Sequence, residues 1–238
     1  MKTQQVVCDF TPNSSQVHLW EIPLQLSNIS HYWDCLSEVE QSRANRFRFE
    51  RDRHQFVHAR GSLRHILSGY TQISPDRLEF LYGDYGKPQL AAQPDLQFNL
   101  SHSAGQALCA IAYQRRVGVD LEQVRLMSHF QSLSQRCLTP LEAETLAPLS
   151  QPEAQRQFLQ YWTCKEAYLK AIGQGLTQSL QTVEVQLSGP PQLLQVPEAG
   201  DWALTILQSR LPDDFVGAVV SEGQVPVERF EWNLSDSS

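Results

Sequence analysis

No stretch of this chain comes near the ~20 consecutive apolar residues that a membrane helix needs. Nor is there a signal-peptide core, because the first twenty residues mix Lys2, Gln4, Gln5, Asp9, Asn13 and Ser14 into the apolar positions. A soluble, cytoplasmic protein is the expectation. Cysteine is sparse and badly placed for cross-linking: Cys8, Cys35, Cys109, Cys137 and Cys164 are odd in number, widely spaced and form no CxxC. That argues against a disulfide framework and a cysteine-based zinc site. Cys109 lies in an apolar run and reads as a small buried hydrophobe. For Cys164, beside a charged motif, helix packing outweighs a catalytic thiol. Positive charge is also short, with 19 Lys and Arg against 26 Asp and Glu and a net charge of -7. Such a balance disfavours a nucleic-acid partner.

What positive charge there is gathers in one place. Arg43, Arg46, Arg48, Arg51, Arg53, Arg60 and Arg64 face only two acids in their window, Glu50 and Asp52. A basic island in an acidic protein suits a small polyanion or an acidic protein patch, and equally suits a solvated helix face. The 238 residues and an apolar fraction of 41% allow one large domain or two smaller ones with packed cores. Ser37 and Glu40 make a capping-box pattern that opens a helix towards Phe49. A second helix is predicted from Asp52 to Leu67, with Phe56, Ala59, Leu63, Ile66 and Leu67 as its apolar stripe and Gly69 as its end. Tyr82 to Pro88 is a turn-rich loop. Strands are predicted at 106–113 and 117–122, with Arg115-Arg116 as the turn. Ser150 and Glu153 cap a long helix that runs to Ile172, where Gly173 and Gly175 stop it. Further strands fall at 182–187, 202–207 and 215–221, and the tail from Leu234 is expected to fray. Helices precede strands in each half, so the fold class is α+β, as two units meeting near Tyr113 to Val117.

Four short segments carry chemistry. In Gly118-Val119-Asp120-Leu121-Glu122 a strand would aim both carboxylates one way, and two such groups repel unless a cation joins them. Magnesium fits, since it takes oxygen ligands and recruits phosphates; a strand with a solvated acidic face is the plainer reading of DxE alone. In Trp162-Thr163-Cys164-Lys165-Glu166-Ala167-Tyr168-Leu169-Lys170, helical spacing clusters Trp162, Glu166, Leu169 and Lys170. Glu166 then sits partly out of water, with Lys170 or a metal as its partner. A simple Glu–Lys helix pair, contributing ~0.2–0.5 kcal/mol, would also account for it. Phe98-Asn99-Leu100-Ser101-His102-Ser103 puts a histidine between two hydroxyls, ready to donate to phosphate oxygens. Adjacent Ser101 and His102 do not form a triad, and no GxSxG is present. Gly86-Lys87-Pro88 holds one lysine on a rigid turn, as a phosphate contact or an ordinary loop lysine.

Taken together and in this order, these four segments resemble the Sfp-type phosphopantetheinyl transferases, a family of two-lobed enzymes. The resemblance spans roughly residues 37–187 and extends less sharply to Phe49-Glu50-Arg51-Asp52. It implies two similar α+β lobes about a pseudo-twofold axis, an N-terminal lobe at 1–115 and a C-terminal lobe at 116–238, with coenzyme A in the cleft. It implies a magnesium site of Asp120, Glu122 and Glu166. It implies coenzyme A contacts from Arg51, Lys87, Asn99, Ser101, His102, Lys165 and Lys170, and catalytic roles for Glu166, Lys165 and Lys170. The implied reaction moves the 4'-phosphopantetheine arm of coenzyme A onto a serine of an apo acyl or peptidyl carrier protein and releases adenosine 3',5'-bisphosphate. Some family members place lysines ahead of the first-lobe helix to hold the 3'-phosphate; here Arg43, Arg46 and Arg48 occupy that stretch. A monomer with no membrane or nucleic-acid partner is expected, because two lobes complete their own cleft. The sequence leaves open whether fatty acid, polyketide or peptide synthesis is served. Two other readings stay open: a magnesium-dependent phosphoesterase acting on a small nucleotide, and a non-catalytic module binding coenzyme A or a carrier protein.

Overall fold

A computed structural model describes residues 14–24, 29–174, 178–207 and 211–232. In chain order the elements are β1 (Val17–Pro23), α1 (Ser30–Asp34), α2 (Glu38–Ala44), α3 (Glu50–Thr71), β2 (Phe80–Tyr82), β3 (Pro88–Leu90), β4 (Leu96–Ser103), β5 (Gln106–Tyr113) and β6 (Val117–Gln123). The second half supplies α4 (Phe130–Cys137), α5 (Pro140–Leu146), α6 (Gln151–Ile172), β7 (Glu184–Gln186), β8 (Gln192–Gln195), β9 (Trp202–Ile206), β10 (Phe215–Glu222) and β11 (Val227–Glu231). The expected α+β class holds. Each half presents one 22-residue helix, then a 3-10 turn, a two-stranded hairpin and an antiparallel strand pair. The fold therefore repeats an order of elements that the residues themselves do not repeat.

Alternation along the strands builds the layers. Leu108, Ala110 and Ala112 of β5 pack with Val117, Val119 and Leu121 of β6 in a core between the sheets. Ala107, Cys109 and Ile111, on the opposite face of β5, pack beneath α3 with Leu63 and Leu67. Val216, Ala218 and Val220 of β10 pack beneath α6 with Phe158 and Leu169. The order is thus helix, sheet, sheet, helix, as period-two strands with two apolar faces require. One sheet runs β11-β1-β5-β4 and the other β6-β10-β9. β11 lies parallel to β1, so the last strand of the 116–238 segment belongs to the first sheet. Its Phe230 stacks on Trp20 at 4.9 Å, which gives that return an apolar anchor.

Two helix ends differ from the sequence expectation. The helix opened by Ser37 stops at Ala44, and Phe49 takes an extended conformation before α3 restarts with Glu50 and Asp52 in its first turn. Acids there favour a new helix start through the dipole. Gly69 does not end α3, which continues to Thr71 and caps at Gln72 in the left-handed region. Burial of Tyr70 outweighs the ~1 kcal/mol cost of a helical glycine. Gly173 ends α6 as predicted, with φ 77; Gly175 and the tail from Leu234 fall outside the described residues. Cys35, Cys109, Cys137 and Cys164 are free and buried, and burial pushes the Cys164 thiol up to about 12, which suits packing rather than nucleophilic work. No helix among the described residues is long and apolar enough to cross a membrane.

Candidate active site

β4 and β6 are both edge strands. They meet through side chains rather than ladder bonds, and Asn99 Oδ1 accepts from the Val119 amide at 2.9 Å where a ladder carbonyl would. Two residues further along, Ser101 Oγ donates to Asp120 Oδ1 at 2.8 Å. Two more along, Ser103 Oγ donates to Glu122 Oε2 at 3.1 Å and accepts from the Gln123 amide at 3.2 Å. With offsets of 19 or 20 residues throughout, β4 presents a row of polar side chains to the carboxylates and amides of β6. Because Val119 and Leu121 are committed to the inter-sheet core, Gly118, Asp120 and Glu122 face α6.

From α6 come Glu166 and Lys170, one helical turn apart. The Lys170 ammonium donates to Asp120 Oδ1 at 2.5 Å, Ser101 Oγ at 3.1 Å and the Val119 carbonyl at 3.3 Å. Glu166 is buried, and its pKa is raised to about 7 by burial first and by the Asp120 charge second, with Lys170 pulling the other way and Glu122 adding to the rise. The Glu122 carboxyl is raised for the same reasons, burial and then Asp120. The three acids therefore share one field, as the sequence reading required. Asp120 Oδ2 and Glu166 Oε1 are buried without a hydrogen-bond partner. A hard divalent cation is the kind of group that would satisfy both. Among the described residues, however, no three His, Cys, Asp or Glu side chains already converge as a ready ligand set. The expected three-carboxylate cluster is thus not preformed; Lys170 and Ser101 share Asp120 Oδ1, and Ser103 holds Glu122 Oε2.

The remaining expected residues divide. His102 keeps an exposed edge beside this site, and its pKa is lowered first by partial burial of the ring, then by the Lys170 and Arg43 charges. The Arg43 charge is thus felt at His102. Arg51 stands exposed in the first turn of α3. Lys87 is not a free loop lysine: its ammonium donates to the Ala171 carbonyl at 2.8 Å and the Val117 carbonyl at 3.1 Å. Burial foremost, with Arg116 next, lowers it to about 8. Asn99 spends its oxygen on β6 and serves the junction.

Lys165 requires a correction. It is fully buried on the side of α6 away from Asp120, bonded to Glu142 Oε2 at 2.6 Å, the Cys137 carbonyl at 2.9 Å and the Leu180 carbonyl at 3.1 Å. A fully buried ammonium with these three partners is not free for the substrate-binding and catalytic roles expected of it. A helix turns about 100° per residue, so neighbours 165 and 166 face different surroundings.

The basic island also splits. Arg60 and Arg64 both bind Glu40, and Arg64 additionally donates to the Pro75 and Leu78 carbonyls at 2.7 and 3.1 Å. Burial alone would raise the Glu40 carboxyl, but these two guanidiniums more than offset it. Arg53 packs over Trp33 at 5.0 Å. Arg43, Arg46, Arg48 and Arg51 remain exposed, with Phe47 and Phe49 among them.

Sequence reasoning named Ser103 only as a hydroxyl beside His102, not as the group that orients Glu122, and missed Glu142, which neutralises Lys165. Thr139-Pro140-Leu141-Glu142 is a capping box of the kind used at Ser150, so its local signal was present.

Residues 116–220 match the 4'-phosphopantetheinyl transferase superfamily, and residues 20–114 match the 4'-phosphopantetheinyl transferase N-terminal family. The chain is 43% identical over 224 residues to the 4'-phosphopantetheinyl transferase HetI of Nostoc, covering 92% of this chain and 90% of that protein. It is 26% identical over 178 residues to the 4'-phosphopantetheinyl transferase Sfp of Bacillus subtilis, covering 74% and 78%. A crystal structure of a holo-(acyl-carrier-protein) synthase from Bacillus anthracis with CoA (3',5'-ADP) aligns to 45% of this chain and 94% of that one. That alignment has 24% identity and a TM-score of 0.40.

Proposed function

The chain belongs to the 4'-phosphopantetheinyl transferase superfamily, and we propose that it transfers the phosphopantetheine arm of coenzyme A to a carrier-protein serine at the junction of β4, β6 and α6. The observation that carries this reading is the meeting of Asp120, Glu166 and Lys170, with an orphaned oxygen on each acid and an ammonium beside them. Such a site is arranged for a diphosphate and a cation, not for a covalent enzyme intermediate.

Asp120 and Glu166, with Glu122 beside them, are the residues to hold magnesium, which when bound supplies Lewis-acid polarisation of the diphosphate. Ser101 and Ser103 hold Asp120 and Glu122 in place by hydrogen bonds. Glu166 is the carboxylate placed to take the serine proton, and because a carboxylate that also holds a cation is a weak base, transfer through one water serves as well as direct transfer. The serine oxygen then forms a bond to the phosphorus bearing the arm, and the diphosphate P–O bond breaks. Lys170 offsets the charge that develops on the leaving adenosine 3',5'-bisphosphate. Arg43 extends the positive field towards the nucleotide end, and the neutral His102 ring offers a hydrogen-bond donor there. Arg46, Arg48 and Arg51, with Phe47 and Phe49, offer an exposed basic and aromatic face to an acidic carrier. Domain limits near residue 115 and a monomeric, self-completed cleft are part of the same proposal.

The test is release of adenosine 3',5'-bisphosphate, followed chromatographically. Release that needs an apo carrier, and is abolished in Glu166→Gln and Asp120→Ala, is the expected result. Release from coenzyme A alone would instead identify a phosphoesterase, and wild-type release in both variants would overturn the site.

A further inference from the structure

The two halves of the site sit on different elements, Asp120 and Glu122 on β6, Glu166 and Lys170 on α6. Their separation is fixed at one spot. A Cβ placed on Gly118 would come within 2.0 Å of the Ala167 carbonyl oxygen and 2.5 Å of the Ala171 amide nitrogen. Both are helix backbone atoms, so no side chain can swing aside to make room. Ala167 and Ala171 directly follow Glu166 and Lys170. At the same spot the Lys87 ammonium bridges the Ala171 carbonyl and the Val117 carbonyl, at 2.8 and 3.1 Å. Val117 directly precedes Gly118, and Ala171 carries one of the end carbonyls that a helix leaves without an internal partner. Gly118 has no positive φ, so its need is steric rather than conformational.

We infer that Gly118 and Lys87 are positioning residues that set the spacing of α6 against β6: the bare Cα admits the helix, and the ammonium ties it there. Resting on the reaction proposed above, the inference makes the seam, and not any contact with substrate, responsible for the juxtaposition of Glu166 and Lys170 with Asp120. Carbon contacts settle near 3.5–4.0 Å, so a methyl group at residue 118 must open the seam by about 1 Å or more. A displacement of that size at reacting groups costs about 100-fold.

Steady-state kinetics with coenzyme A and an apo carrier test this on Gly118→Ala, Lys87→Met and, as a control for general loosening, Val183→Ala in the second-lobe core. Gly118→Ala should lose about 100-fold in kcat and Lys87→Met about 10-fold, both with KM for coenzyme A unchanged, the pattern of lost transition-state geometry. Val183→Ala should lower Tm while keeping kcat. Wild-type kcat in Gly118→Ala overturns the inference. So does Lys87→Met that raises KM for coenzyme A at unchanged kcat, since that makes the lysine a ligand contact. Should Gly118→Ala not fold, Lys87→Met decides alone. Full turnover in Asp120→Ala would refute the site assignment itself, independently of the seam.

Discussion

Replacing Lys165 by Met separates a structural lysine from a catalytic one. Lys165 and Glu142 are both fully buried and joined at 2.6 Å. Glu142 also accepts from the Thr139 amide at 2.9 Å and the Val185 amide at 2.8 Å, so the pair ties the start of α5 and β7 to α6. Methionine keeps the length but strands the Glu142 charge, and losing one partner of such a pair costs roughly 3–5 kcal/mol. In a chain of this size 1 kcal/mol moves Tm by about 2–4 °C, so Lys165→Met should melt roughly 10 °C early. Adding Glu142→Gln should recover part of the loss, because it removes the stranded charge. Recovery stays incomplete, since the new NH2 faces an amide that the carboxylate had served. Below its melting range each variant should retain turnover per folded molecule. Calorimetry with an activity assay on the same samples checks this. Wild-type Tm with abolished turnover in Lys165→Met would refute the reasoning and return Lys165 to the chemistry.

Glu166→Gln should raise stability in metal-free buffer at pH 8 while abolishing turnover. The folded carboxyl, at about 7, lies above its ordinary value, so its contribution to stability is present at low pH and is lost as pH rises from about 4.5 to about 7; the amide avoids that loss, worth roughly 1–3 kcal/mol, as chemical denaturation will show. His58 and His65 are held down to about 4 by burial, with His31 adding to the effect on His65. The unfolded chain takes up those protons first, an effect that opposes the Glu166 gain over the same range, so in Glu166→Gln stability should fall from about pH 6.5 towards pH 4; a flat unfolding free energy of that variant between pH 7 and 5 would contradict this. Raising salt from 50 to 500 mM (on the order of a threefold shorter screening length) should raise KM for an acidic carrier, and Arg46→Glu with Arg48→Glu should do so at low salt. A salt-independent KM would remove the exposed arginines from docking.

Much of this was legible in the sequence because it was local. The capping residues Ser37 and Ser150 announce helices, and alternation in Val117 to Glu122 places Asp120 and Glu122 on one face. Spacing of four puts Glu166 and Lys170 together on α6. What was not legible depends on partners far away in the chain. Arg60 and Arg64 look like free charge until Glu40, from another helix, neutralises them. Lys165 and Lys170 look equivalent until Glu142 claims one and Asp120 the other. The seat of β11 beside β1 joins residues more than 200 apart, and nothing local to either strand records it. The closeness of Gly118 to α6 is likewise invisible, since glycine in a strand has many causes.

Group transfer to a protein would rest on the buried acids of β6 and α6 with Lys170 on Asp120. Intact-mass spectrometry of an apo carrier protein, after incubation with this chain, magnesium and coenzyme A, tests it most directly. The account predicts a gain of one phosphopantetheine on one serine, absent with Glu166→Gln. An unchanged carrier mass with the wild-type chain, or an equal gain with Glu166→Gln, would contradict it.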